Sequence, residues 1–479
     1  MIEKIELQDE VLRRVGAVAD RVGMEAYVVG GYVRDVLLDK QVKDTDIVVV
    51  GSGVALAKLV AKEFHTSNVV VFEKFGTAML PLEDRKLEFV GARKESYQKN
   101  SRKPHVAVGT MEDDLARRDF TVNAMAVSLN AKTRGTILDP FNGQRDLQLK
   151  ILRTPLEPEA TFDDDPLRLM RATRFASQLG FSIEPNVIAA ASKMAGRLSI
   201  VSQERISDEF LKLLASPKPS IGLQWMFDAG LMNVVFPEIA NLAGVDQRQD
   251  FHHKDVFRHT LMVVDKVAAT SNNLWLRMTA LLHDVAKPKT KAFKPDIGWS
   301  FHGHEEFGAR MIKPIFQRMR FPMEHIPYVE KLVRLHLRPQ ALVDDGVTDS
   351  AIRRLMFECG NEIDDLMLLC RADITSKNPK LVEQVLFNYE RVVQKMQEVE
   401  ERDRIRNWQP PMRGEEIMRV CGITEGKMVG VLKEKITDAI LDGVIPNDHE
   451  AALQYLYSIK EEVMALPPVK KKKSTFGKP

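Results

Sequence analysis

The sequence predicts an α/β head, a mixed sheet with helices, followed by a largely all-α neck, body and tail. In the first 150 residues, short runs rich in Val, Ile and Phe end at Gly or at charged residues, and helical patterns lie between them. After about residue 160 the strand signals nearly vanish, and amphipathic helical patterns continue to about residue 465. At the junction, EPEATFDDDP (157–166) combines Pro and Asp in a way typical of helix starts.

The head is predicted to contain at least two helices and five strands. Two helical patterns, LQDEVLRRVGAVADRV and SGVALAKLVAKEF, alternate with the strand signals. The predicted strands are AYVVGG, DIVVVG, NVVVFEKFG, KLEFVGAR and MAVSLN.

A chain of 479 residues is too long for one typical core, and its length favours two to four domains. Breaks near SPKPS (216–220) and NWQPPMRG (407–414) suggest boundaries within the helical part. The predicted segments are a head at 1–155, a neck at 156–216, a body at 217–400, a helical tail at 401–466 and a disordered basic tail at 467–479.

Composition excludes several classes of protein. A formal net charge of +2 gives no whole-chain field for nucleic acid, so a basic surface must come from local clustering. Cys359, Cys370 and Cys421 have no CxxC spacing, which favours a reduced, cytoplasmic setting. The charged N-terminal segment is unlike a signal peptide, and no apolar run suits a membrane span.

A Gly-Gly turn and a pair of carboxylates carry the first chemical signal. YVVGGYVRDVLL reads as strand, turn and helix, and Gly30 and Gly31 would let the backbone approach a phosphate. Asp44 and Asp46 are two apart at a strand entry, so their side chains share one face, which suits Mg²⁺. Two such ions activate a hydroxyl and neutralise a triphosphate leaving group, and Arg34 would add positive charge. Alone, either feature is more often structural.

Together, GGYVRDVLL and DTDIVV resemble the first motif of the class II tRNA nucleotidyltransferase and bacterial poly(A) polymerase family. Four further family motifs follow in order over roughly the first 215 residues, with Asp164 where the family usually has Glu. These are RRDFTVNAMAV (117–127), DPFNGQRDL (139–147), DDPLRLMRATRFASQLGF (164–181) and SQERISDEFLKLL (202–214). The resemblance implies transfer of nucleotides to RNA, with tRNA, CTP and ATP as partners.

The fourth motif offers a means of base selection. Asp165 and Arg168 are three apart, so on one helix they would share a face. Carboxylate accepts and guanidinium donates, which matches the amino group and ring nitrogen of cytosine and adenine but not guanine or uracil. The purely structural alternative is that Asp165 caps the helix and that Arg168, Arg171 and Arg174 form a solvent-exposed basic stripe. By resemblance, further nucleotide-binding residues are Arg117, Arg118, Asp119, Asn123, Arg171 and Arg174.

Enzymes with these motifs differ in the nucleotides that they add to the RNA. Bacterial poly(A) polymerases carry a Gly-basic-basic run after the second strand, whereas this chain has VVVFEKFGT there, which resembles the CCA-adding branch. A polar stretch between Arg93 and Asp113 resembles the flexible loop needed for the terminal A. Full CCA addition is therefore expected. Partial (CC-only or A-only) addition and poly(A) synthesis stay open.

A second constellation lies in the body. His259, the adjacent His283 and Asp284, and Asp373 follow the order of the HD phosphohydrolase family, which they resemble. Imidazole with carboxylate suits Mn, Ni, Co or Mg. The resemblance implies a possible phosphatase or phosphodiesterase activity on RNA ends, or else a remnant that helps hold tRNA. His304 and His336 could orient phosphate or complete a second metal site, and the roles of His252 and His253 are open.

The helical tail resembles the C-terminal helices of the same family. Its glycines are spaced for tight interhelical turns and its lysines could hold RNA phosphates, although an ordinary helical hairpin fits equally well. The residues concerned are Gly422, Gly426, Gly430, Lys427, Lys433 and Lys435.

Overall fold

The structure of the protein is a computed structural model. It describes residues 1–42, 45–73, 76–83, 85–96, 105–245, 255–295, 298–343, 348–376, 378–403 and 408–465. The predictions for Asp44, His252, His253 and the basic tail at 467–479 lie outside these residues. The chain forms two compact units, the first comprising Met1–Leu281, Ala292–Ser300 and Pro314–Met323, the second Leu282–Lys291, Phe301–Lys313 and Glu324–Pro479.

The head contains a seven-stranded mixed sheet with the strand order β3-β4-β5-β2-β1-β8-β9. Its helices are α1 (Glu10–Arg21), α2 (Gly31–Leu37), α3 (Gly53–Glu63), α4 (Met111–Ala116) and α5 (Gly143–Leu149), with a 3₁₀ turn at Thr121–Asn123. Its strands are β1 (Glu25–Val29), β2 (Thr45–Val50), β3 (Val70–Phe72), β4 (Thr77–Pro81), β5 (Lys86–Gly91), β6 (Arg93–Ser96), β7 (His105–Val108), β8 (Ala126–Ser128) and β9 (Ile137–Leu138).

The chain from residue 151 to residue 300 is mainly helical, and all of it except Leu282–Lys291 belongs to the first unit. Short strands pair β10 with β11 and β12 with β13, and a 3₁₀ turn covers Ala195–Ile200. The elements between residues 151 and 300 are β10 (Ile151–Leu152), α6 (Pro158–Asp164), α7 (Leu167–Leu179), β11 (Ser182–Ile183), α8 (Pro185–Met194), α9 (Gln203–Leu214), α10 (Pro219–Asp228), α11 (Leu231–Val235), α12 (Pro237–Ala240), α13 (Val256–Thr270), α14 (Leu274–Leu282), α15 (Lys287–Thr290), β12 (Ala292–Lys294) and β13 (Gly298–Ser300).

The second unit is helical in its described residues. Its last three helices pack around a small apolar core that includes Ile417, Leu432, Ile436 and Leu456. From residue 301 onward the helices are α16 (His304–Met319), α17 (Ile326–Leu335), α18 (Arg338–Ala341), α19 (Asp349–Cys359), α20 (Ile363–Asp373), α21 (Pro379–Asp403), α22 (Gly414–Cys421), α23 (Lys427–Leu441) and α24 (His449–Ala465), with 3₁₀ turns at Met323–His325 and Gly360–Glu362.

The predicted fold class is confirmed, and each predicted strand and both predicted head helices are present. Burial explains the strands: in β1 and β2 the Val and Ile side chains fill the core, and such runs fit a strand covered on both faces. Strand β4 was missed because it is a short run just after Gly76, whose positive φ of 61° makes the turn from β3. No helix in the described part of the chain is long and apolar enough to cross a bilayer.

The stretch between Arg93 and Asp113, which resembles a flexible loop of the family, contains the antiparallel ribbon of β6 and β7; residues 97–104 lie outside the described chain. One expectation in the tail needs correction. In the tail, Gly422 ends α22 in the left-handed conformation as expected. Gly430 makes no turn, since it lies inside α23.

A buried carboxylate on α5 ties the head to the neck. Asp146 accepts a hydrogen bond of 2.7 Å from the hydroxyl of Thr121 and pairs with Arg153 at 3.3 Å. Arg153 also pairs with Glu184 of the neck at 2.7 Å. The third motif thus joins the 3₁₀ turn of the head to the start of the neck by a charged chain, which fixes the two sides of the cleft described below.

Two mid-helix glycines predict opposite effects of the same substitution. In Gly222→Ala, the new Cβ would lie 2.3 Å from the carbonyl oxygen of Thr173 on α7, so we expect about 1–3 kcal/mol of destabilisation from overpacking. In Gly430→Ala the Cβ meets nothing within 4 Å, so we expect about 1 kcal/mol of stabilisation from helix propensity. Thermal unfolding followed by circular dichroism tests this, and shifts of the same sign would contradict it.

Candidate active site and metal centre

Side chains of the head and neck border one cleft with a volume of about 610 Å³. Eight of its lining residues are Arg or Lys and five are Asp or Glu. The cleft is therefore a local cluster of basic residues in a chain whose net charge is near zero. All the described head and neck candidates line it, namely Gly30, Gly31, Arg34, Asp46, Arg117, Arg118, Asp119, Asn123, Asp165, Arg168, Arg171 and Arg174.

The Gly-Gly turn leads from β1 into α2. Gly30 has φ 69°, a backbone conformation that favours glycine, and a Cβ there would lie 2.8 Å from a guanidinium nitrogen of Arg118, so that guanidinium would have to move. The pairing of β1 with β2 places Asp46 opposite Val29, directly before this turn. The sheet register therefore brings the carboxylate of the second strand to the glycine turn of the first.

Asp119 is the centre of a buried network. Its Oδ1 accepts hydrogen bonds from the Phe120 amide at 2.8 Å and from Asn123 at 3.0 Å, and its Oδ2 accepts one from Arg171 at 2.7 Å. Asn123 in turn accepts a 2.8 Å bond from Arg34. Burial raises the pKa of Asp119, but the charge of Arg171 and the bond from Asn123 outweigh it and lower the pKa to about 2.

The sign of this shift decides its effect on stability. Because the folded pKa lies below the unfolded value of 3.8, the ionised carboxylate contributes stability above about pH 4. That contribution is lost as the pH falls towards 2. Asp119 is therefore an anion at neutral pH, held between the 3₁₀ turn of the head and α7 of the neck.

A second buried carboxylate positions the neck arginines. Glu209 on α9 pairs with Arg174 at 2.7 Å and lies 3.9 Å from Arg171. The guanidinium carbons of Arg174, Arg171 and Arg34 lie 4.2, 5.3 and 5.3 Å from the ring centre of Phe175. Cations at these distances are attracted to an aromatic face. The three guanidinium groups are thus gathered at one wall of the cleft.

Asp165 and Arg168 both line the cleft, but their arrangement differs from the prediction. Asp165 is extended and precedes α7, so the two do not share a helix face. Asp165 pairs with Arg205 at 3.2 Å. Arg168 donates to the carbonyl oxygen of Thr161 at 3.0 Å and to that of Arg117. Proline after Asp165 explains the difference, because the residue before Pro avoids the helical region.

The paired arginines of the second motif share one carboxylate. Asp114, fully buried on α4, accepts from Arg117 at 2.6 Å through one oxygen and from Arg118 at 3.1 Å through the other. Arg118 is the same side chain that faces Gly30. This bidentate clamp orients both guanidinium groups at the cleft wall.

Sequence reasoning missed four residues that shape the site: Asp114, Glu209, Arg205 and Glu88. Glu88 is the Cα partner of Asp46 in the parallel pairing of β2 with β5, so both side chains lie on one face of the sheet. Glu88 has a signal in the alternation of KLEFVG, where Leu87 and Phe89 are buried and Glu88 is exposed, and Asp114 has one in its spacing of three and four from two arginines. Arg205 and Glu209 lie within the motif SQERISDEFLKLL, but that motif did not single them out, because only the packing of α9 on α7 brings them to the cleft.

The second unit contains five of the predicted or suspected metal residues, His283, Asp284, His304, His336 and Asp373. His283 Nε2 lies 3.2 Å from Asp284 Oδ2 and 3.4 Å from Asp373 Oδ1. Asp284 Oδ2 also accepts from Lys287 at 2.7 Å, while its Oδ1 lies 3.3 Å from His304 Nε2. His283, Asp284, His304 and His336 are buried. Such a donor set of imidazole and carboxylate fits a divalent transition metal.

His336 and His259 are both buried, but they lie in different units. Burial and the neighbouring His283 lower the pKa of His336 to about 4, so it is neutral at pH 7 and able to ligate a metal. His259 is buried on α13 in the first unit, and its part in a metal site stays a prediction.

Three segments of the chain match known protein families. Family models match residues 26–153 as the poly A polymerase head domain, 180–242 as a probable RNA and SrmB-binding site of polymerase A, and 256–377 as an HD domain. A protein of Deinococcus radiodurans named "A-adding tRNA nucleotidyltransferase" is 34% identical over 71% of this chain and 78% of its own length. The chain belongs to the tRNA nucleotidyltransferase family. It is a nucleotidyltransferase.

Other proteins similar to this nucleotidyltransferase carry names of the same family. A "Multifunctional CCA protein" of Neisseria gonorrhoeae is 36% identical over 66% of this chain and 74% of its own length. A solved tRNA nucleotidyltransferase, complexed with a primer tRNA and an incoming ATP analog, is 26% identical, with a TM-score of 0.57 over 79% of this chain and 98% of its own. An apo CCA-adding enzyme, 24% identical, shares the fold with a TM-score of 0.62 over 95% of this chain and 97% of its own.

The requirement for glycine at position 30 can be separated from general backbone strain. Gly23 has a similar φ of 66° but open space around it, whereas Gly30 faces Arg118. Both Gly→Ala variants should lose on the order of 1–2 kcal/mol of stability from the left-handed backbone, but only Gly30→Ala should also lose nucleotide incorporation, by tenfold or more. Equal activity in both variants, measured by primer extension, would contradict the close approach.

Proposed function

We propose that this nucleotidyltransferase adds C, C and A to the 3′ end of tRNA from CTP and ATP, with release of pyrophosphate. The observation that carries the proposal is that Asp46 and the glycine turn line the same cleft as Asp165 and Arg168. One wall therefore offers the acidic group suited to phosphoryl transfer, and the other offers a hydrogen-bonding pair suited to a base.

Asp44 and Asp46 are proposed to hold Mg²⁺, which would neutralise the triphosphate and favour the 3′-hydroxyl as nucleophile. The donor set fits that ion, because Asp46 borders the cleft and Glu88 shares its sheet face, so the oxygen ligands that Mg²⁺ prefers are at hand. Arg34, Arg171 and Arg174 around Phe175 would bind the triphosphate and orient its α-phosphorus. Asp119 and Asn123, on the same network, would orient the ribose.

Base choice is assigned to Asp165 and Arg168. Cytosine and adenine each offer an amino donor beside an unprotonated ring nitrogen, so the amino group would donate to Asp165 and the ring nitrogen accept from Arg168. Guanine and uracil present the reverse order. Arg205 holds the carboxylate, and two backbone carbonyls hold the guanidinium. Both groups are thus fixed before a nucleotide binds, which strengthens rejection of the wrong base.

A second candidate is addition of the terminal A alone. It is favoured by the similarity to the relative from Deinococcus radiodurans, which is named as an A-adding enzyme. The same cleft would serve either enzyme, because cytosine and adenine present the same donor–acceptor order to Asp165 and Arg168.

The reaction is tested by incubating the full chain with tRNA that lacks CCA and with tRNA that ends in CC, giving CTP and ATP separately and together. We expect three nucleotides on the first RNA and one A on the second. Extension of only the CC-ended RNA would replace the proposal with A addition. Long A tails made without CTP would replace it with poly(A) synthesis.

Asp46→Asn should reduce incorporation by at least three orders of magnitude, because the cation would lose a ligand at the reacting phosphate. Asp163→Asn is the matched control, since this exposed carboxylate lies on α6 outside the cleft lining and should leave the rate unchanged. Incorporation by Asp46→Asn at the rate of the control would refute the metal assignment.

Asp165→Ala should relax base choice while leaving some activity. Loss of one matched hydrogen-bond acceptor is worth on the order of 1–3 kcal/mol, so discrimination against UTP and GTP should fall about tenfold or more. Asp163→Ala should keep the native discrimination. Ratios of kcat/KM for the four nucleotides measure the effect, and unchanged ratios in Asp165→Ala would show that selection lies elsewhere.

A further inference from the structure

A small hairpin in the first unit carries two aromatic side chains on its surface. β12 and β13 form a two-stranded sheet of their own, separate from the seven-stranded sheet of the head, and all three residues of β12 are exposed. Phe293 is 53% exposed and Trp299 is 38% exposed, although such side chains are usually buried. Large apolar side chains that are exposed next to one another mark interaction sites more often than single ones do.

The register of the hairpin brings the two rings together. Phe293 and Trp299 are Cα partners in the antiparallel pairing, so their side chains lie on one face of the ribbon. The ring centres are 5.3 Å apart and the ring planes make an angle of 73°. In an edge-to-face pair of this kind, the ring that presents its edge keeps both of its faces uncovered by the other ring. The hairpin therefore offers an aromatic surface to the solvent.

The chain that leads into β12 and through it is basic. Residues 287–294, KPKTKAFK, contain four lysines and no acidic residue. Lys287 pairs with Asp284 at 2.7 Å, whereas Lys289 and Lys294 are exposed. Within the described part of the chain, no carboxylate forms an ion pair with Lys294. A positive charge beside the aromatic surface is thus available to an anionic partner.

The combination of rings and lysines favours nucleic acid over protein as that partner. The cores of protein interfaces are enriched in aromatic residues but depleted of lysine. Proteins that bind single-stranded RNA use both, because the rings stack on bases and the cations contact the phosphates between them. Stacking requires no particular base, since every base has a flat face.

We propose that Phe293 and Trp299, together with Lys294, bind a single-stranded segment of RNA without preference for its sequence. A base stacks on the aromatic surface. Lys294 starts from the other face of the ribbon, and its long stem brings the ammonium group to the ribbon edge, where it contacts a phosphate. None of the three residues lines the nucleotide cleft. The inference rests on the proposed function only in taking RNA as the substrate.

The test is the affinity of the full-length chain for a short oligouridylate labelled with fluorescein, measured by fluorescence anisotropy. Phe293→Leu and Trp299→Leu keep an apolar side chain but lose the ring, so each should weaken binding about tenfold, equivalent to about 1.4 kcal/mol. Trp299→Phe keeps a ring and should stay within about threefold of the parent. Phe387→Leu is the matched control, since this phenylalanine on α21 is 60% exposed, and should bind as the parent does.

Two further readouts locate the contact. Lys294→Gln leaves both rings in place, so it tests the same surface even where a leucine variant loses the hairpin, which circular dichroism would detect. It should lower the slope of log Kd against log salt concentration by about 0.7, the value for one phosphate contact in a single strand. Oligouridylate should also quench tryptophan fluorescence in the parent, and the quenching should be smaller in Trp299→Phe.

Parent-level affinity in both leucine variants would overturn the proposal, and so would an unchanged salt slope in Lys294→Gln. It would also be overturned if the leucine variants changed the sedimentation coefficient of the chain but not its RNA affinity, because the surface would then hold a second copy. Binding requires no incorporation, so the two proposals fail separately. A parent that binds through the hairpin but adds no CCA contradicts only the proposed function, and one that adds CCA without this binding contradicts only the hairpin.

Discussion

The arrangement of the nucleotide cleft depends on the buried carboxylate of Asp119. One oxygen faces the head, where it accepts from Asn123, and the other faces the neck, where it accepts from Arg171. A buried charge is tolerated only when it is paired and hydrogen-bonded, and here the partners come from two parts of the chain. The head and neck walls of the cleft are thereby held at one separation, and the arginines that border it are fixed before a substrate arrives.

Buried carboxylates recur as junctions throughout the chain, each dividing its two oxygens between two partners. Asp114 divides them between Arg117 and Arg118, and Asp284 between His283 and His304. A carboxylate has about four acceptor positions, so it can order several donors at once. Buried carboxylates thus order guanidinium groups in the first unit and imidazoles in the second.

Much of this could be predicted from local sequence, because the decisive signals are local. The strands were visible as Val-rich runs, and the glycine turn and Asp46 were identified by their place at strand ends. Features that depend on packing between distant parts of the chain were not predicted correctly. Asp165 lies off the helix because of its proline, so the shared-face argument did not hold. Glu209 enters the site only because α9 packs on α7, and no spacing along the chain encodes that contact.

The central claim is that one cleft holds the reacting phosphate at Asp46 and reads the base at Asp165 and Arg168. A crystal structure of the full chain with Mg²⁺ and a non-hydrolysable CTP analogue tests it most directly. We expect the α-phosphate beside Asp46, the cytosine amino group on Asp165 and the ring nitrogen on Arg168. A base bound away from these two side chains, with the triphosphate still at Asp46, would contradict selection by the protein pair.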